Sequence, residues 1–540
     1  MSAIKRGSGR SAARPGEHLA RERGTVIKDW GGRLPVAVVY PNSYFIGMSN
    51  LGVHTVYSQL NSYRQVVAER VFWERENRDN QLQAVSVESG RHLVDFSVLA
   101  FSVTYELDYF HITRILSTSG IPLYAADRDE RYPLVIAGGP CITANPMPLA
   151  PFFDCLCIGE AEPILPVLVP ALLEGMSGQR DELLKALSSL PGVYVPRYNH
   201  GTPVVRQRAK NLGDYPVASA IITPDTELGN LFLLEVERGC NWGCRFCLVY
   251  TTFSPMRCHP VNQLIEQARQ GLAWRNRIGL VGPAVTDHPD IEELLVRLRE
   301  IGAGLSISSL RIKPFSPKVL EELARGGIRT ITLAPEAGSE RLRRVIKKGI
   351  SEDDILQAID RVAGQGIRQL KLYFIIGLPT ETDDDIDEII RLLLKAKDIV
   401  DRRKSGTRIT VTIAPFVPKA GTPFQWLPMA PTATVSRRLA LLKKSLPARG
   451  IQLKSDSPAW SQVQGVLSRG DSSLARVLAD IEDISLAGWN RSIAQSGFDI
   501  DEYIGRSWDI DRKLPWEIID SGMKRQRLTG ELHRALGQSG

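Results

Sequence analysis

The stretch ERGCNWGCRFC, residues 237–247, places Cys240, Cys244 and Cys247 in one short window of a 540-residue chain that has only 7 cysteines. Three thiols cannot pair off as disulfides, and a tetrahedral structural zinc site takes four ligands. Thiolate is the preferred ligand of iron–sulfur clusters, which normally take four cysteines. With three local cysteines, one iron keeps an exchangeable position, as catalytic zinc sites keep one position open. Gly239 and Gly243 let the backbone wrap closely around a bulky inorganic group. Two other readings of the same residues stay open: a zinc site completed by His259 or Cys258, and a purely structural loop.

Outward from this window the chain alternates strand-like and helix-like stretches. The window follows LFLLEVE (231–237), and further strands are expected at IGLVG (278–282), LSISSL (305–310), TITLAPE (330–336), QLKLYFIIG (369–377) and ITVTIAPF (409–416). Helices are expected between them at 290–301, 316–325, 351–365 and 382–400. Ser351 with Asp354, and Thr382 with Asp385, have capping-box spacing. Six β/α units over about 190 residues suggest a partial relative of the β/α barrel, where chemistry gathers at the C-terminal strand ends. Before this series, PVAVVYP (35–41), VLAFSV (98–103), LVIAGG (134–139) and CLCIGE (155–160) alternate with helical segments at 105–118 and 162–174. That pattern argues for a second parallel sheet covered on both faces. Residues 430–540 read as a small helical region.

The pattern C-x-x-x-C-x-φ-C, with Phe246 as the aromatic, after the first strand of a β/α series, resembles the radical S-adenosylmethionine (SAM) superfamily. Other pieces fall in that family's order. GLVGP (279–283), with Gly282 and Pro283, ends the second strand, where the family's glycine segment approaches the methionyl amine; the usual Gly-Gly-Glu is absent here. SSLR (308–311), with Ser309 and Arg311, ends the third strand, and APEAGSE (334–340), with Glu336, the fourth. GLPTET (377–382), with Gly377, follows the fifth, and APFVPKAGTPFQW (414–426) resembles the sixth-strand ending. The resemblance implies a 4Fe–4S cluster on Cys240, Cys244 and Cys247, whose open iron chelates SAM. Reductive cleavage then gives methionine and a 5′-deoxyadenosyl radical that acts on an unknown substrate. It further implies a one-electron reductant such as flavodoxin or ferredoxin. Arg311 and Glu336 are the expected SAM contacts, by pairing with its carboxylate and ribose; the alternative is an Arg–Glu pair bracing adjacent strands. Lys371 and Tyr373 face either the cavity or the helices. Asp287 and His288 either reach the site or, with Pro289 at a helix start, serve in N-terminal capping, which is the preferred reading.

The run PLVIAGGPCITANPMPLAPFFDCLCIGEAE (133–162) resembles the later half of a cobalamin-binding Rossmann-like domain, with Gly138–Gly139 and Gly159–Glu162 at its glycine turns. The D-x-H-x-x-G signature that supplies a histidine to cobalt is absent. Cobalamin would therefore bind without that ligand, or the domain is a degenerate scaffold. Cys155 and Cys157 are read as small core residues. YPNSYFIGMSNLG (40–52), LAPEAGSERLR (333–343) and LSRGD (467–471) look like a fused radical SAM family. The expected organisation is a flexible basic tail over 1–30, a Rossmann-like domain over 31–215, a radical SAM core over 225–425 and a helical region over 430–540.

Composition sets the remaining limits. The net charge is +7, but the positive residues are scattered, so nucleic acid is not implied. No run of about 18 apolar residues appears, which argues against a membrane span. The N-terminal segment lacks an apolar h-region, and the sparse cysteines suit a reducing, cytoplasmic setting. A tRNA methylthiotransferase would need three more widely spaced cysteines and usually a C-terminal β-barrel, whereas Cys141, Cys155 and Cys157 are bunched and 430–540 reads helical. A non-catalytic iron–sulfur redox protein would have no use for the nucleoside motifs.

Overall fold

The computed structural model describes residues 15–74 and 84–538. Its first sheet holds six strands: β1 (Leu34–Tyr40), β2 (Val66–Phe72), β3 (Val98–Ser102), β4 (Leu134–Gly138), β5 (Cys155–Cys157) and β6 (Val193–Tyr194). Their order is β2-β1-β3-β4-β5-β6, and all pairs are parallel except β5 with β6. Strand β2 is absent from the sequence reading because Glu69 and Arg70 interrupt its apolar run. Arg70 is fully buried and pairs with Glu22 and Glu88, each at 2.6 Å. Glu22 lies in the segment read as a flexible tail over 1–30, of which residues 1–14 lie outside the described residues and the described part docks through this ion pair. His18 also stacks on Tyr44 with ring centroids 3.7 Å apart. The segment docks because Arg70 needs the Glu22 carboxylate.

The second series forms two parallel sheets. One holds β7 (Phe232–Glu235), β8 (Arg277–Val281) and β9 (Gly304–Ile307), in the order β9-β8-β7; the other holds β10 (Thr330–Glu336), β11 (Gln369–Ile376), β12 (Arg408–Pro415) and β13 (Gln452–Ser455) in sequential order. A bond from Leu310 N–H to the Thr332 carbonyl (2.9 Å) links the two sheets. Leu280 and Leu305 from one sheet and Leu333, Leu372 and Val411 from the other share one core with Leu294, Leu323, Ile359 and Leu392 of the covering helices. The series thus makes one helix-backed wall with an uncovered inner side. The Ser351–Asp354 capping box is present, and Thr382 N–H bonds Asp385 at 2.8 Å.

Residues 430–540 are mostly helical, as the sequence suggests, with the short strand β13 added. QLKS is short, with half-exposed polar positions, and its parallel pairing with Thr410–Ile413 makes it a strand. This region also packs on the first domain. Trp460 and Trp489 meet Phe110 edge-on at 6.3 and 5.8 Å, and Asn145 donates to the carbonyls of Ser468 and Gly470 at 3.1 and 2.8 Å. Its helices therefore pack on the helix Tyr109–Thr118 and the loop at Asn145 of the first domain, while Lys419 reaches Glu106 at 2.5 Å.

Candidate active site

Strand β7 ends at Glu235, and the chain runs through Glu237–Arg238 into the cysteine loop and then the helix Leu248–Thr252. All seven cysteines are free thiols. Burial pushes the thiols of Cys240, Cys244 and Cys247 up, the last to about 11. The backbone N–H of Trp242 is directed at Cys240, and those of Val249 and Tyr250 at Cys247. Amides aimed at sulfur stabilise thiolate ligands and tune a cluster. The donor set therefore suits a soft-metal cluster.

The zinc alternative fares worse. The His259 ring nitrogens face Glu235 Oε2 (3.2 Å) and Gln263 Oε1 (3.4 Å), so His259 is committed elsewhere. Among the described residues no three His, Cys, Asp or Glu side chains close around a single ion. Gly239 does not make room for an inorganic group: its positive φ of 91° serves a turn in which an added Cβ would sit 2.5 Å from the Phe253 carbonyl oxygen.

Arg311 and Glu336 do not pair with each other. The Arg311 guanidinium stacks 3.7 Å over the ring of Trp242, inside the cysteine loop, and its Nε lies 3.4 Å from Asp287 Oδ1. Asp287 also accepts a hydrogen bond from the Trp242 indole. Asp287 therefore does not cap the helix Ile291–Glu300, which begins four residues later with Asp290 as its cap. His288 is buried, with its ring on the His259 carbonyl (2.9 Å) and the Asp290 N–H (3.1 Å), a structural arrangement. Glu336 sits at a bulge in β10 with φ of 68°, and its Oε1 accepts from Lys348 Nζ at 3.1 Å. Lys348, absent from the sequence reading, lies close enough to Cys244 to feel its charge. Its signal was the KK pair after GSERLRRVI. Arg311 and Lys348 thus set two cations beside the cysteine loop.

On β11, Leu370, Leu372, Phe374 and Ile376 face the helices, so the alternating Lys371 and Tyr373 lie on the other face, where Tyr373 is 38% exposed. Gly377 has φ of 76°, and its N–H donates to Glu381 Oε1 at 2.7 Å, shaping the GLPTET turn. Arg438 pairs with Glu381 at 2.7 Å, yet burial still pushes that carboxyl up to about 7. Phe246 is partly buried against the core shared with the first domain. Ser309 lies beside Ser308, whose hydroxyl donates to the Gly282 carbonyl at 3.2 Å.

A cavity of about 520 Å³ lies between the carboxyl edge of the first sheet and the start of the second series. Gly138, Gly139 and Gly159 line one side; Glu235, Glu237, Gly239, Gly282 and Pro283 line the other. Close approach of the chain's own backbone accounts for two of these glycines. A Cβ on Gly139 would fall 2.5 Å from the Val103 carbonyl oxygen, and one on Gly159 would fall 2.1 Å from that of Gln207. The acids of GEAE clamp the second series instead. Glu160 pairs with Arg238 (3.0 Å) and Arg257 (2.7 Å), Glu162 with Arg238 (2.8 Å), and Glu235 with Arg238 (2.7 Å). This network went unseen because its partners come from different domains. Glu237, present in the opening stretch but given no role, is 1% exposed and bonds the Ala284 N–H at 2.5 Å.

Comparison with known proteins places this geometry. Residues 52–196 match the model described as radical SAM proteins, N-terminal, and residues 234–393 match the radical SAM superfamily model. An uncharacterised protein of Methanocaldococcus jannaschii is 32% identical over 450 residues, covering 82% of this chain and 90% of that protein. An uncharacterised methyltransferase of Pyrococcus horikoshii is 26% identical over 276 residues, 48% of this chain and 58% of that one. In fold, the chain is similar to the cobalamin-dependent SAM radical enzyme OxsB, solved with aqua-cobalamin and SAM: TM-score 0.51 at 14% identity, over 93% of this chain and 79% of that one. With three cysteines on the first loop of a partial barrel and an α/β domain ahead of it, the chain belongs to the radical SAM superfamily, whose chemistry runs on a 4Fe–4S cluster and SAM.

Proposed function

We propose that Cys240, Cys244 and Cys247 hold the 4Fe–4S cluster and that SAM lies along the rim formed by the ends of β8 to β11. The observation that carries this reading is the cysteine loop itself: three thiols without disulfide partners, backbone amides aimed at two of them, and Arg311 and Lys348 alongside. A cluster held by these three cysteines would supply the electron for reductive cleavage of the carbon–sulfur bond of SAM. The chain's own residues bind, orient and exclude water. Arg311, held by Trp242 and Asp287, offers its remaining donors to the methionyl carboxylate. Glu336, held by Lys348, accepts from the ribose hydroxyls. Gly282, Pro283 and Ser309 give backbone edges to the methionyl end, and Lys371, Gly377 and Phe246 bound the nucleoside side. The domain ahead of the barrel, over about 31–215, closes the site from above and keeps the radical dry.

Two features of the reading concern partners. A small electron carrier such as flavodoxin or ferredoxin is the reductant, and the cytoplasm is the compartment that suits the cluster. Among the described residues no helix is long and apolar enough to cross a membrane. The cavity lining includes no histidine, so a cobalamin seated there would have no imidazole ligand. Its uptake is measured directly by equilibrium dialysis. The methylthiotransferase reading loses ground because Cys141 and Cys155 are buried in the core, 5% and 0% exposed, rather than gathered for a second cluster.

The test is anaerobic reconstitution followed by reduction with SAM. Iron and sulfide at one cluster per chain, with 5′-deoxyadenosine and methionine released, is the expected result. A cluster that forms but leaves SAM intact would favour the redox-carrier reading.

A further inference from the structure

The cavity between the two sheets has a mostly apolar lining, including Leu51, Phe101, Ile136, Leu165, Leu168 and Phe253. Its polar wall is unevenly charged. The charged side chains that line the cavity are Glu160, Glu162, Glu235, Glu237 and Arg238, and Arg238 is shared by Glu160, Glu162 and Glu235. Arg257 and Arg206 act on Glu160 from outside the lining, and His259 lies on Glu235. Among the described residues no cation pairs with Glu237. One carboxyl oxygen, Oε1, accepts the Ala284 N–H at 2.5 Å, and the other, Oε2, is buried without a hydrogen-bond partner. Gly282 is kept bare beside it, since a Cβ there would fall 2.3 Å from Oε1. An unpartnered buried carboxyl oxygen is costly to leave in place, and Glu237 is among the residues that line a cavity otherwise suited to an apolar body.

We propose that this cavity binds an apolar substrate bearing a basic nitrogen, and that Glu237 Oε2 is the seat of that ammonium group. The proposal rests on the reading of the chain as a radical SAM enzyme and names the class of its substrate. A carboxylate or phosphate ligand would meet an acidic wall with every guanidinium already engaged, whereas a cation supplies the missing charge. The same wall explains the state of the empty seat. Burial, with Glu235 and Asp287 close by, pushes the Glu237 carboxyl up to about 8. The thiols of Cys240 and Cys258 also lie near it, and neither is a cation at neutral pH. A neutral carboxyl at pH 7 becomes a carboxylate when an ammonium arrives, so its proton passes to solvent. Proton release is therefore expected below pH 8 and fades above it.

The experiment titrates the full-length, cluster-reconstituted protein with phenethylamine, neutral phenylacetamide and anionic phenylacetate by calorimetry. Phenethylamine should bind at least about tenfold more tightly than the other two, the size of one charge-assisted hydrogen bond. Repeating the titration at pH 7 in buffers of different ionisation heat should show about one proton released per amine bound, as the loss of the Glu237 proton requires. Glu237→Gln, close to isosteric, should abolish the preference for the amine while leaving phenylacetamide unchanged. Val56→Trp, which fills the apolar end of the cavity, should weaken all three probes. Equal binding of amine and amide by the wild-type protein, or an amine preference that survives Glu237→Gln, would overturn the proposal. So would a Glu237→Gln variant that loses SAM affinity but keeps amine affinity, because the carboxyl would then belong to SAM. None of these titrations needs turnover, so a protein that binds the amine yet fails to cleave SAM would sink the radical SAM reading alone.

Discussion

Two turns in this molecule carry similar sequence signals, glycine beside charge at the end of a parallel strand, and the structure uses them in opposite ways. In GEAE (159–162) the glycine makes room for the chain's own Gln207 backbone, and both acids are spent on Arg238 and Arg257. In ERGCNWGCRFC (237–247) the charged residue Arg238 is likewise consumed by the junction, but the three thiols are left without disulfide partners. The first turn joins domains; the second is left open for chemistry. What separates them is which polar groups remain unsatisfied after folding, a property of tertiary neighbours that no local motif encodes.

The sharpest way to break the comparison is to remove the open groups. Replacing Cys240, Cys244 and Cys247 together by alanine should reduce bound iron and sulfide to background and abolish SAM cleavage, with Cys258→Ala retaining both. Wild-type iron in the triple variant would mean that the open turn lies elsewhere. Next in size is the junction. Arg238→Ala leaves Glu162 without its guanidinium and Glu160 and Glu235 with fewer partners. Breaking a buried ion-pair network from one side costs about 3–5 kcal/mol. Urea denaturation should register that loss, and a change below about 1 kcal/mol would show that the acids are not charged there.

The sequence made the second series legible almost residue by residue. β10 is Thr330–Glu336 and β11 is Gln369–Ile376, against expected runs of 330–336 and 369–377, because every second position carries a residue buried under the covering helices. β2 escaped because Glu69 and Arg70 sit inside it, and an ion pair can bury what hydropathy reads as surface. At the site, the cysteine loop and strand ends were legible from spacing, but the side-chain partners were not. Arg311 and Glu336 are expected as SAM contacts, with a pair bracing adjacent strand ends as the alternative; they do not pair, and Trp242, Asp287 and Lys348 hold them. Those partners arrive from loops 12 to 69 residues away, beyond any periodicity.

The self-filled turn supplies a third test. Gly159 has φ of 123°, and a Cβ there would fall 2.1 Å from the Gln207 carbonyl oxygen. Gly159→Ala combines backbone strain with a backbone clash and should cost about 1–3 kcal/mol. If the turn only joins domains, the purified variant will hold a full complement of cluster iron. A stable variant with impaired cobalamin or amine uptake would instead show that the turn also carries a ligand.

The smallest expected effect concerns how the open loop is held from outside. The helix Arg525–Gly537 brings Glu531 onto Arg245, which lies between Cys244 and Cys247, and onto Lys347, both at 2.9 Å. Gln538 takes a second bond from Arg245 at 2.8 Å. Burial pushes the Glu531 carboxyl up, but its bonds to Lys347, Arg534 and Arg245 outweigh this and lower it to about 2. A carboxyl depressed in the folded state contributes stability above its unfolded value, near 4.5, and loses it as pH falls toward 2. Because the site is partly open to solvent, the contribution is about 1–2 kcal/mol rather than the full value of the shift. Hydrogen exchange on the apo protein, compared at pH 5 and pH 3, should show the Arg525–Gly537 amides losing protection before the strands of the second series. Glu531→Gln should show the weakened protection already at pH 5. Equal protection in variant and wild type would mean that the apolar contacts of Leu528 and Leu532 hold the helix without the ion pairs, and that the cysteine loop is latched by packing alone.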